Sequence, residues 1–490
     1  MLALFYRLGS HPLAHEEPRR ALIGLELIYG DDPLQPTLHG ENYYRKPPLY
    51  NWVIAGCYWI TGKTSEAVSR LPTVISFLLI AWFMYWFGRK YTDRNKAVLA
   101  AIIFLASEDL VLYYSRMAEM DLFYSLLTLP VILLPWHYLN SGSKWRFFII
   151  PSFIAALGFL AKGFPSVAFL GISMLAAIFI HKQYKLIWHP MVLVSVAVFV
   201  LPTLIYFLPQ YQAGTLEDSL NTLFGESANR TGGKSILDRL SHLVIFPLDT
   251  LKGMLPFSLL ILGLRKRVLA SDFTKAIAVL FLANFALYWL SPGARLRYIY
   301  VLFPLLAFVL AEIGLSLKPK IQEWIDKGTH LLLLVVMVFL LVLMVYFNAL
   351  DAGVIMAMLA GGIILYLRKS VNWSLGLICL MFLARIGIDF IAGQPEVLTH
   401  DKAHMEKQDA QRLFEAHGES RVYLNSRAEE FYTFSYEYTR LTQRVLRHNE
   451  ALDDQQGIYI VRRASKPEEL EMLSDFKIGK DTSFILARWP

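Results

Sequence analysis

The stretch AVSRLPTVISFLLIAWFMYWFG, residues 67–88, is followed directly by the basic pair Arg89 and Lys90. A helix needs about 20 apolar residues to cross the hydrocarbon core of a bilayer, and this stretch is long enough. Basic residues gather at the cytoplasmic ends of such helices. The stretch therefore predicts a transmembrane helix whose C-terminal end faces the cytoplasm.

The composition of the whole 490-residue chain is that of a membrane protein. Hydrophobic residues make up 55% of it and charged residues 18%, whereas soluble domains carry about a quarter charged residues. The net charge of +7 comes from Lys and Arg residues dispersed over short loops, a pattern typical of topology signals and not of a nucleic-acid groove. The two cysteines, Cys57 and Cys379, lie in apolar stretches, so we expect neither a disulfide framework nor a cysteine metal site.

Similar apolar runs continue along most of the chain. They fall at 67–88, 97–115, 122–139, 147–161, 164–181, 190–209, 242–263, 274–291, 298–316, 329–349, 351–367 and 373–393. We predict an all-α polytopic membrane domain of about twelve to thirteen transmembrane helices over residues 1–393. Two amphipathic segments, 17–30 and 49–61, are expected to lie along the membrane interface and to shape a cavity. Because the chain starts abruptly, we also expect that a first transmembrane helix is missing from its N-terminus.

Lys and Arg residues recur in every second loop between these runs. They are Arg89, Lys90, Arg94, Lys96, Lys144, Arg146, Lys182, Lys185, Arg265, Lys266, Arg267, Lys318, Lys320, Arg368 and Lys369. The positive-inside rule places these loops in the cytoplasm. The other segments then face outward: 9–66, 116–121, the turn at Lys162, 212–241, 292–297 and the tail. The pattern predicts a multi-pass membrane protein with its large loops on the outer side, which in a bacterium is the periplasmic side of the inner membrane.

The tail from 394 to 490 differs in composition from the rest of the chain. It is rich in charged residues, and 422–424 and 458–461 have the pattern of short strands. Residues 401–417 have helical spacing. The tail is therefore predicted to form a small α/β domain on the outer side.

An unusual set of polar residues falls in the outward segments. Its members are Glu16, Glu17, Arg19, Tyr44, Lys46, Arg116, Asp121, Lys162, Arg295, Arg297 and Tyr298. The positive-inside rule disfavours cations in outward segments. Ionisable groups at membrane depth usually mark a functional cavity or a paired network. Interfacial snorkelling of single side chains, or simple pairing of acids with cations, is the plainer alternative.

These residue types together suit one kind of chemistry. The carboxylates of Glu16, Glu17 and Asp121 can take a proton from an attacking group or stabilise positive charge at a sugar carbon. Lys46, Arg295 and Arg297 can hold a phosphate, and preorganised cations stabilise a departing phosphate as its negative charge grows.

Short motifs around these residues resemble a known family. The first three are EEPR (16–19), GDD (30–32) and YRKPPLYNW (44–52). They continue with RLP (70–72), RMAEMD (116–121), LAKG (160–163) and RY (297–298). In this order they resemble the bacterial aminoarabinose transferase of lipid A and the wider protein O-mannosyltransferase-like group, which are C-type (GT-C) glycosyltransferases.

The resemblance implies a membrane glycosyltransferase that moves a sugar from a polyprenyl-phosphate carrier to a lipid A, polysaccharide or protein acceptor at the periplasmic face. It makes Glu16 and Glu17 the acidic pair of the first outer loop and Asp121 the acid of the second. It assigns Lys46 to the carrier phosphate. The cavity would also include Lys162, Arg295 and Arg297, with Arg19, Tyr44, Arg116 and Tyr298 around them. No cofactor is implied, and the sequence leaves a divalent metal open.

Two points stay open at the level of sequence. The family usually has Asp where this chain has Glu16, which is one methylene longer, so Asp121 is the alternative catalytic acid. The rival function is a transporter or flippase of a lipid-linked sugar, which would need the same cations. Transporters tend to carry polar residues at mid-membrane, whereas the charges here gather at helix ends, which favours chemistry at the membrane surface.

Overall fold

The structure is a computed structural model that describes residues 2–228, 235–346, 373–392, 394–399, 401–425 and 431–490. Up to residue 417 it is dominated by helices. The helices are α1 (Leu2–Phe5), α2 (Glu17–Tyr29), α3 (Leu49–Thr61), α4 (Glu66–Tyr91), α5 (Arg94–Leu105), α6 (Glu108–Leu112), α7 (Met120–Asn140), α8 (Lys144–Lys162), α9 (Pro165–His181), α10 (Met191–Gln212), α11 (Leu216–Ala228), α12 (Ile236–Gly253), α13 (Asp272–Trp289), α14 (Phe303–Leu315), α15 (Pro319–Tyr346), α16 (Trp373–Ala392), α17 (Pro395–Leu398), α18 (Lys402–His417) and α19 (Tyr432–Thr442). The strands are β1 (Thr37–Leu38), β2 (Glu41–Asn42), β3 (Val422–Leu424), β4 (Arg447–His448), β5 (Ile458–Arg462), β6 (Glu471–Ile478) and β7 (Asp481–Arg488).

Within the described residues, seven helical segments are long and apolar enough to cross a membrane. They are α4, α7, α8, α10, α13, Leu296–Leu315 and α16. Two bent pairs bring the number to nine if each is one span: Arg94–Leu105 with Glu108–Arg116, bent by 51°, and Ile236–Gly253 with Phe257–Gly263, bent by 116°. The chain is therefore a multi-pass membrane protein, and the predicted all-α membrane domain is confirmed.

Two of the predicted apolar runs lie partly or wholly outside the described residues. The run at 329–349 falls in α15 up to Tyr346, and the run at 351–367 lies outside the described residues, as do Arg368 and Lys369. The predicted number of twelve to thirteen spans thus stays a prediction beside the seven to nine observed in the described part of the chain.

The antiparallel hairpin of α7 and α8 sets the geometry of the polar end of the membrane domain. Gly142 makes the short turn between the two helices with a left-handed backbone, φ 73°, which glycine adopts without strain. Because the helices run in opposite directions and are nearly equal in length, the beginning of α7 lies beside the end of α8. This arrangement brings Asp121 and Lys162 to one place.

The two predicted amphipathic segments form helices α2 and α3, which pack closely against each other. A Cβ atom built on Gly24 would lie 2.7 Å from Cγ2 of Ile54, so only glycine allows this approach. Leu22, Leu25 and Tyr50 are fully buried in the same cluster. The pair therefore forms a rigid layer at one end of the membrane helices.

The C-terminal α/β domain contains the five-stranded sheet β4-β3-β5-β7-β6. β3 is parallel to both β4 and β5, whereas β7 is antiparallel to β5 and β6. The strands predicted at 422–424 and 458–461 and the helix predicted at 401–417 are present as β3, β5 and α18. The fold class predicted for the whole chain is confirmed.

Direct contacts join this domain to the first part of the chain. The backbone N–H of His448 donates to the carbonyl of His39 at 3.2 Å, and the hydroxyl of Tyr436 donates to the carbonyl of Thr64 at 2.7 Å. The sheet domain therefore sits at the end of the membrane domain that carries α2 and α3.

Candidate active site

A cavity of about 300 Å³ opens where α2, the loop before α3, the ends of α7 and α8, and the segment before α14 meet. Eight of the eleven predicted site residues line it. The lining consists of Glu16, Arg19, Arg20, Tyr43, Arg45, Lys46, Glu119, Met120, Asp121, Lys162, Gly293, Arg295, Arg297 and Tyr298. Residues separated by up to 282 positions in the chain thus line the same cavity.

Asp121 and Lys162 form an ion pair on one side of the cavity. Nζ of Lys162 lies 2.5 Å from Oδ1 of Asp121, and both side chains are almost fully buried. Asp121 is in the first turn of α7 and Lys162 in the last turn of α8, so each charge is favoured by the dipole of its own helix. Nζ of Lys162 also lies 4.9 Å and 5.1 Å from the ring centroids of Tyr124 and Tyr298, within range of cation–π attraction.

Glu119 and Arg297 form a second pair. Nη1 of Arg297 lies 3.2 Å from Oε1 of Glu119, which immediately precedes α7. Burial raises the pKa of Glu119 to about 7; the nearby charge of Asp121 acts in the same direction, and Arg297 opposes the shift. Near neutral pH this carboxyl group is therefore partly protonated.

The α2 side of the cavity carries Glu16, Arg19 and Arg20. Glu16 pairs with Arg19 one turn further along α2, and the hydroxyl of Tyr43 accepts a hydrogen bond of 3.0 Å from Nη1 of Arg20. In the part of the chain that the structure describes, the Nε groups of Arg19, Arg20 and Arg297 are buried and have no hydrogen-bond partner. A buried donor without a partner is costly, so each of these groups would gain from an acceptor atom placed in the cavity.

Charge in the cavity is unevenly distributed. Seven of the lining side chains are basic and three are acidic, which leaves an excess of four positive charges. A cavity with this balance of charge attracts an anion.

Three predicted site residues lie elsewhere. Both carboxylate oxygens of Glu17 are occupied: Oε1 accepts from Nε of Arg70 at 2.8 Å and from the backbone N–H of Ala118 at 2.7 Å, and Oε2 accepts from Nη2 of Arg70 at 3.0 Å. Arg116 is buried against Asp389 of α16 and donates to the carbonyl of Tyr6 at 2.7 Å. Neither residue lines the cavity.

Tyr44 lines a different cavity of about 360 Å³, beside Trp52, Tyr206 and Gln210. The preceding residue, Tyr43, faces the acid and cation cavity instead. The two tyrosines are adjacent in the sequence but line different cavities.

Four polar lining residues were not singled out from the sequence: Arg20, Tyr43, Arg45 and Glu119. Each lies within three positions of a residue that was. Glu119 shares the second polar segment with Asp121, so a second carboxylate there was the available signal. Among the described residues, no group of three or more His, Cys, Asp or Glu side chains is arranged to hold a metal ion.

Solved structures share the overall fold of this chain. The structure of ArnT from Cupriavidus metallidurans bound to undecaprenyl phosphate superposes with a TM-score of 0.70 at 18% identity, over 99% of this chain and 96% of that one. Its apo state gives the same TM-score at 16% identity. The chain therefore has the GT-C glycosyltransferase fold.

Sequence comparisons point to a more particular group. A family model described as dolichyl-phosphate-mannose-protein mannosyltransferase matches residues 45–209, which include Lys46, Asp121 and Lys162. A relative from Yersinia enterocolitica, named undecaprenyl phosphate-α-4-amino-4-deoxy-L-arabinose arabinosyl transferase, is 31% identical over 193 residues. A transferase of the same description from Proteus mirabilis is 25% identical over 322 residues, 64% of this chain and 57% of the relative. The resemblance to the aminoarabinose transferases is confirmed.

The extent of these matches is limited. The matched part is 38% of this chain and spans about a third, 34%, of the length of the Yersinia relative.

Proposed function

We propose that the protein is a membrane glycosyltransferase that transfers a sugar from a polyprenyl-phosphate carrier, with its active site in the acid and cation cavity. The observation that carries the proposal is the meeting of three carboxylates with seven basic groups in this one cavity at the end of the membrane helices. The relatives' names and the shared fold support the reaction class.

The phosphate of the donor would be held by the basic wall. Lys46 offers a point charge on a flexible stem, whereas Arg295 and Arg297 offer planar forks suited to two phosphate oxygens. The unpartnered Nε groups of Arg19, Arg20 and Arg297 add donors that are already in place before the ligand arrives. Such preorganised donors stabilise the leaving phosphate more strongly as its charge increases.

The carboxylates would act on the sugar side of the same bond. An acceptor oxygen attacks the anomeric carbon, the bond from that carbon to the phosphate oxygen breaks, and the polyprenyl phosphate leaves with the electron pair. If the acceptor is a hydroxyl, Glu16 or Asp121 takes its proton; if it is a phosphate, no base is needed and the carboxylate stabilises the positive charge at the anomeric carbon. Glu119 joins these candidates because its pKa lies near neutrality.

The three predicted site residues outside the cavity take supporting roles in this proposal. Glu17, with Arg70, would hold the first turn of α2 and so the position of Glu16. Arg116, with Asp389, would hold the segment that leads into Glu119 and Asp121. Tyr44 would shape the neighbouring cavity without contacting the reacting atoms.

The proposed site faces the periplasm from the bacterial inner membrane. The basic residues in alternate loops support this orientation, with α2, α3 and the C-terminal domain on the outer side. A lipid-borne, activated donor suits that compartment because the reaction then needs no nucleotide. The acceptor would be lipid A, a polysaccharide or a protein hydroxyl.

Orientation is testable by labelling. In a variant with Cys57 and Cys379 replaced by alanine, a single cysteine at the exposed position Lys63 should react with a membrane-impermeant maleimide added to spheroplasts. Labelling only after the membrane is opened would place the cavity on the cytoplasmic side and contradict the proposal.

Activity is tested with purified protein in nanodiscs and a radiolabelled polyprenyl-phosphate sugar. Glu16→Gln should lower turnover, and Lys46→Ala should weaken donor binding by about tenfold or more, because a charge-assisted contact to phosphate is lost. Lys63→Ala is the matched control, since Lys63 is exposed and lies outside the cavity.

Two results would contradict the proposal. Full turnover in both site variants would remove the site assignment. Movement of the donor across proteoliposome membranes with no transferred sugar would favour a flippase instead.

A further inference from the structure

A second basic cavity lies on the C-terminal domain, away from the proposed active site. It has a volume of about 250 Å³ and is bounded by β3, the end of α19 and the loop that follows it. Its lining includes Tyr29, Arg421, Tyr423, Tyr438, Arg444 and Arg447. Three of these side chains are arginines and none is a carboxylate.

The hydroxyl of Tyr438 is an unsatisfied donor in this cavity. Tyr438 is 3% exposed, and within the described ranges its hydroxyl has no hydrogen-bond partner. Burial raises the pKa of Tyr438 to about 12, against the effect of the nearby Arg444, so the group keeps its proton at neutral pH. A buried hydroxyl of this kind gains most when a ligand oxygen accepts its hydrogen bond.

Each arginine makes a polar contact at the edge of the cavity. Asp454 accepts from Nη1 of Arg421 at 3.4 Å and from the hydroxyl of Tyr423 at 2.8 Å. Arg447 donates to Asp31 at 2.7 Å, and Arg444 donates to a backbone carbonyl at 3.3 Å. A guanidinium has five N–H donors, so one contact leaves most of its donors for a ligand.

The rest of the lining suits a sugar. The rings of Tyr29 and Tyr423 offer apolar faces, and Ser420, Thr442 and Gln443 offer hydroxyl and amide groups. Arginine forks match phosphate oxygens in pairs. We propose that this cavity binds the phosphate group of a phosphorylated saccharide.

Helix α2 connects this cavity to the proposed active site. Arg20 lines the active-site cavity and Tyr29, nine residues later on the same helix, lines the second cavity. At 1.5 Å per residue the two positions are about 14 Å apart along the helix axis. The acceptor role of this cavity rests on the proposed function. In that role the second cavity holds a phosphate of the acceptor while another part of the acceptor reaches the active site.

Hydrogen exchange of the full-length protein in phosphatidylcholine nanodiscs tests the binding step, with glucosamine 1-phosphate as the probe. Peptides covering 420–425 and 438–447 should gain protection with this probe and none with glucosamine. Inorganic phosphate should bind, but more weakly. Protection by phosphatidylglycerol in the nanodisc, with none by the sugar phosphate, would assign the arginines to the membrane surface and overturn the proposal.

Two variants and a control sharpen the test. Arg444→Ala should weaken the binding of glucosamine 1-phosphate by about tenfold and Tyr438→Phe by about fivefold, since each variant removes a hydrogen bond to the anion. Tyr438→Phe deletes a hydroxyl without a partner, so folding should not suffer. Arg463→Ala is the matched control, because Arg463 is an exposed arginine of the same domain outside the cavity. Wild-type affinity in both cavity variants, or inorganic phosphate binding as tightly as the sugar phosphate, would contradict the proposal.

The role in transfer has a separate readout. With a phosphorylated acceptor, the two cavity variants should raise the acceptor KM and leave kcat unchanged. An unchanged KM would refute the acceptor role even if the exchange experiment succeeds. If the wild-type protein transfers no sugar, the proposed function fails, while the exchange experiment still decides whether the cavity binds a phosphorylated saccharide.

Discussion

The ammonium group of Lys162 lies 2.5 Å from Oδ1 of Asp121, inside the membrane domain and at the wall of the cavity. The contact ties the first turn of α7 to the last turn of α8. Removing one partner of a buried pair leaves an uncompensated charge, whereas removing both does not. This difference allows the structural and chemical contributions of Asp121 to be separated.

Asp121→Asn should lower turnover by about 100-fold or more and also lower the melting temperature, because a charge of the site and a buried ion pair are lost together. In the double variant Asp121→Asn with Lys162→Gln, the melting temperature should recover while turnover stays low. Thermal melting and single-turnover kinetics measure the two effects. Recovery of turnover in the double variant would show that the acid has only a structural role.

Loss of the Glu17 carboxylate should reduce the stability of the protein, whereas loss of the Glu16 carboxylate should reduce turnover. Glu17→Gln breaks the pair with Arg70 and should cost about 3–5 kcal/mol in the free energy of unfolding, with donor affinity retained by the protein that folds. Glu16→Gln should leave the melting temperature near that of the wild type, because its side chain is 37% exposed, while turnover falls. Melting curves and donor titrations distinguish the two variants. An equal decrease in melting temperature in both variants would contradict the assignment.

Donor binding should depend on pH through Glu119. As pH falls through about 7 this carboxyl takes up a proton and loses its attraction for Arg297, so the guanidinium is more available to phosphate. A polyprenyl-phosphate sugar is a phosphodiester and keeps one negative charge over this range, so it should bind more tightly at pH 6 than at pH 8. Glu119→Gln should remove the difference and bind tightly at both values. A pH dependence that survives in this variant would assign it to another group.

Glu26 is expected to anchor the loop that leads to Lys46. Its carboxylate accepts from the backbone N–H groups of His39 and Gly40 at 2.7 Å and 3.1 Å and from the hydroxyl of Thr37 at 2.8 Å. Glu26→Ala leaves these donors unsatisfied and should reduce the free energy of unfolding by about 2–4 kcal/mol. Protease cleavage between α2 and α3 should become faster. Glu41→Ala, in the same loop, is the comparison, and equal effects of both changes would contradict this role.

The sequence predicted which segments would carry the candidate site, because topology depends on the alternation of apolar runs and basic loops. Apolar runs alternate with loops, and every second loop is basic, so residues as distant as Glu16, Lys46, Asp121 and Arg297 fall at the same end of the helices. The structure brings these four residues into one cavity.

Adjacent residues were harder to separate. Glu16 and Glu17 look equivalent in the sequence, but successive residues of a helix point about 100° apart. Glu16, at the start of α2, reaches the cavity, whereas Glu17 turns inward to Arg70. Likewise Tyr43 and Tyr44 face different cavities.

The sequence by itself determined the membrane class, the alternation of loops and the small α/β domain, because hydrophobic length and periodicity are local properties of the chain. Only the tertiary structure decided which carboxylates and cations share a cavity, and which are used up in buried pairs such as Glu17 with Arg70. Those assignments depend on the packing of α2 against its neighbours and on the hairpin of α7 and α8. Packing joins residues far apart in the chain, so no local pattern specifies it.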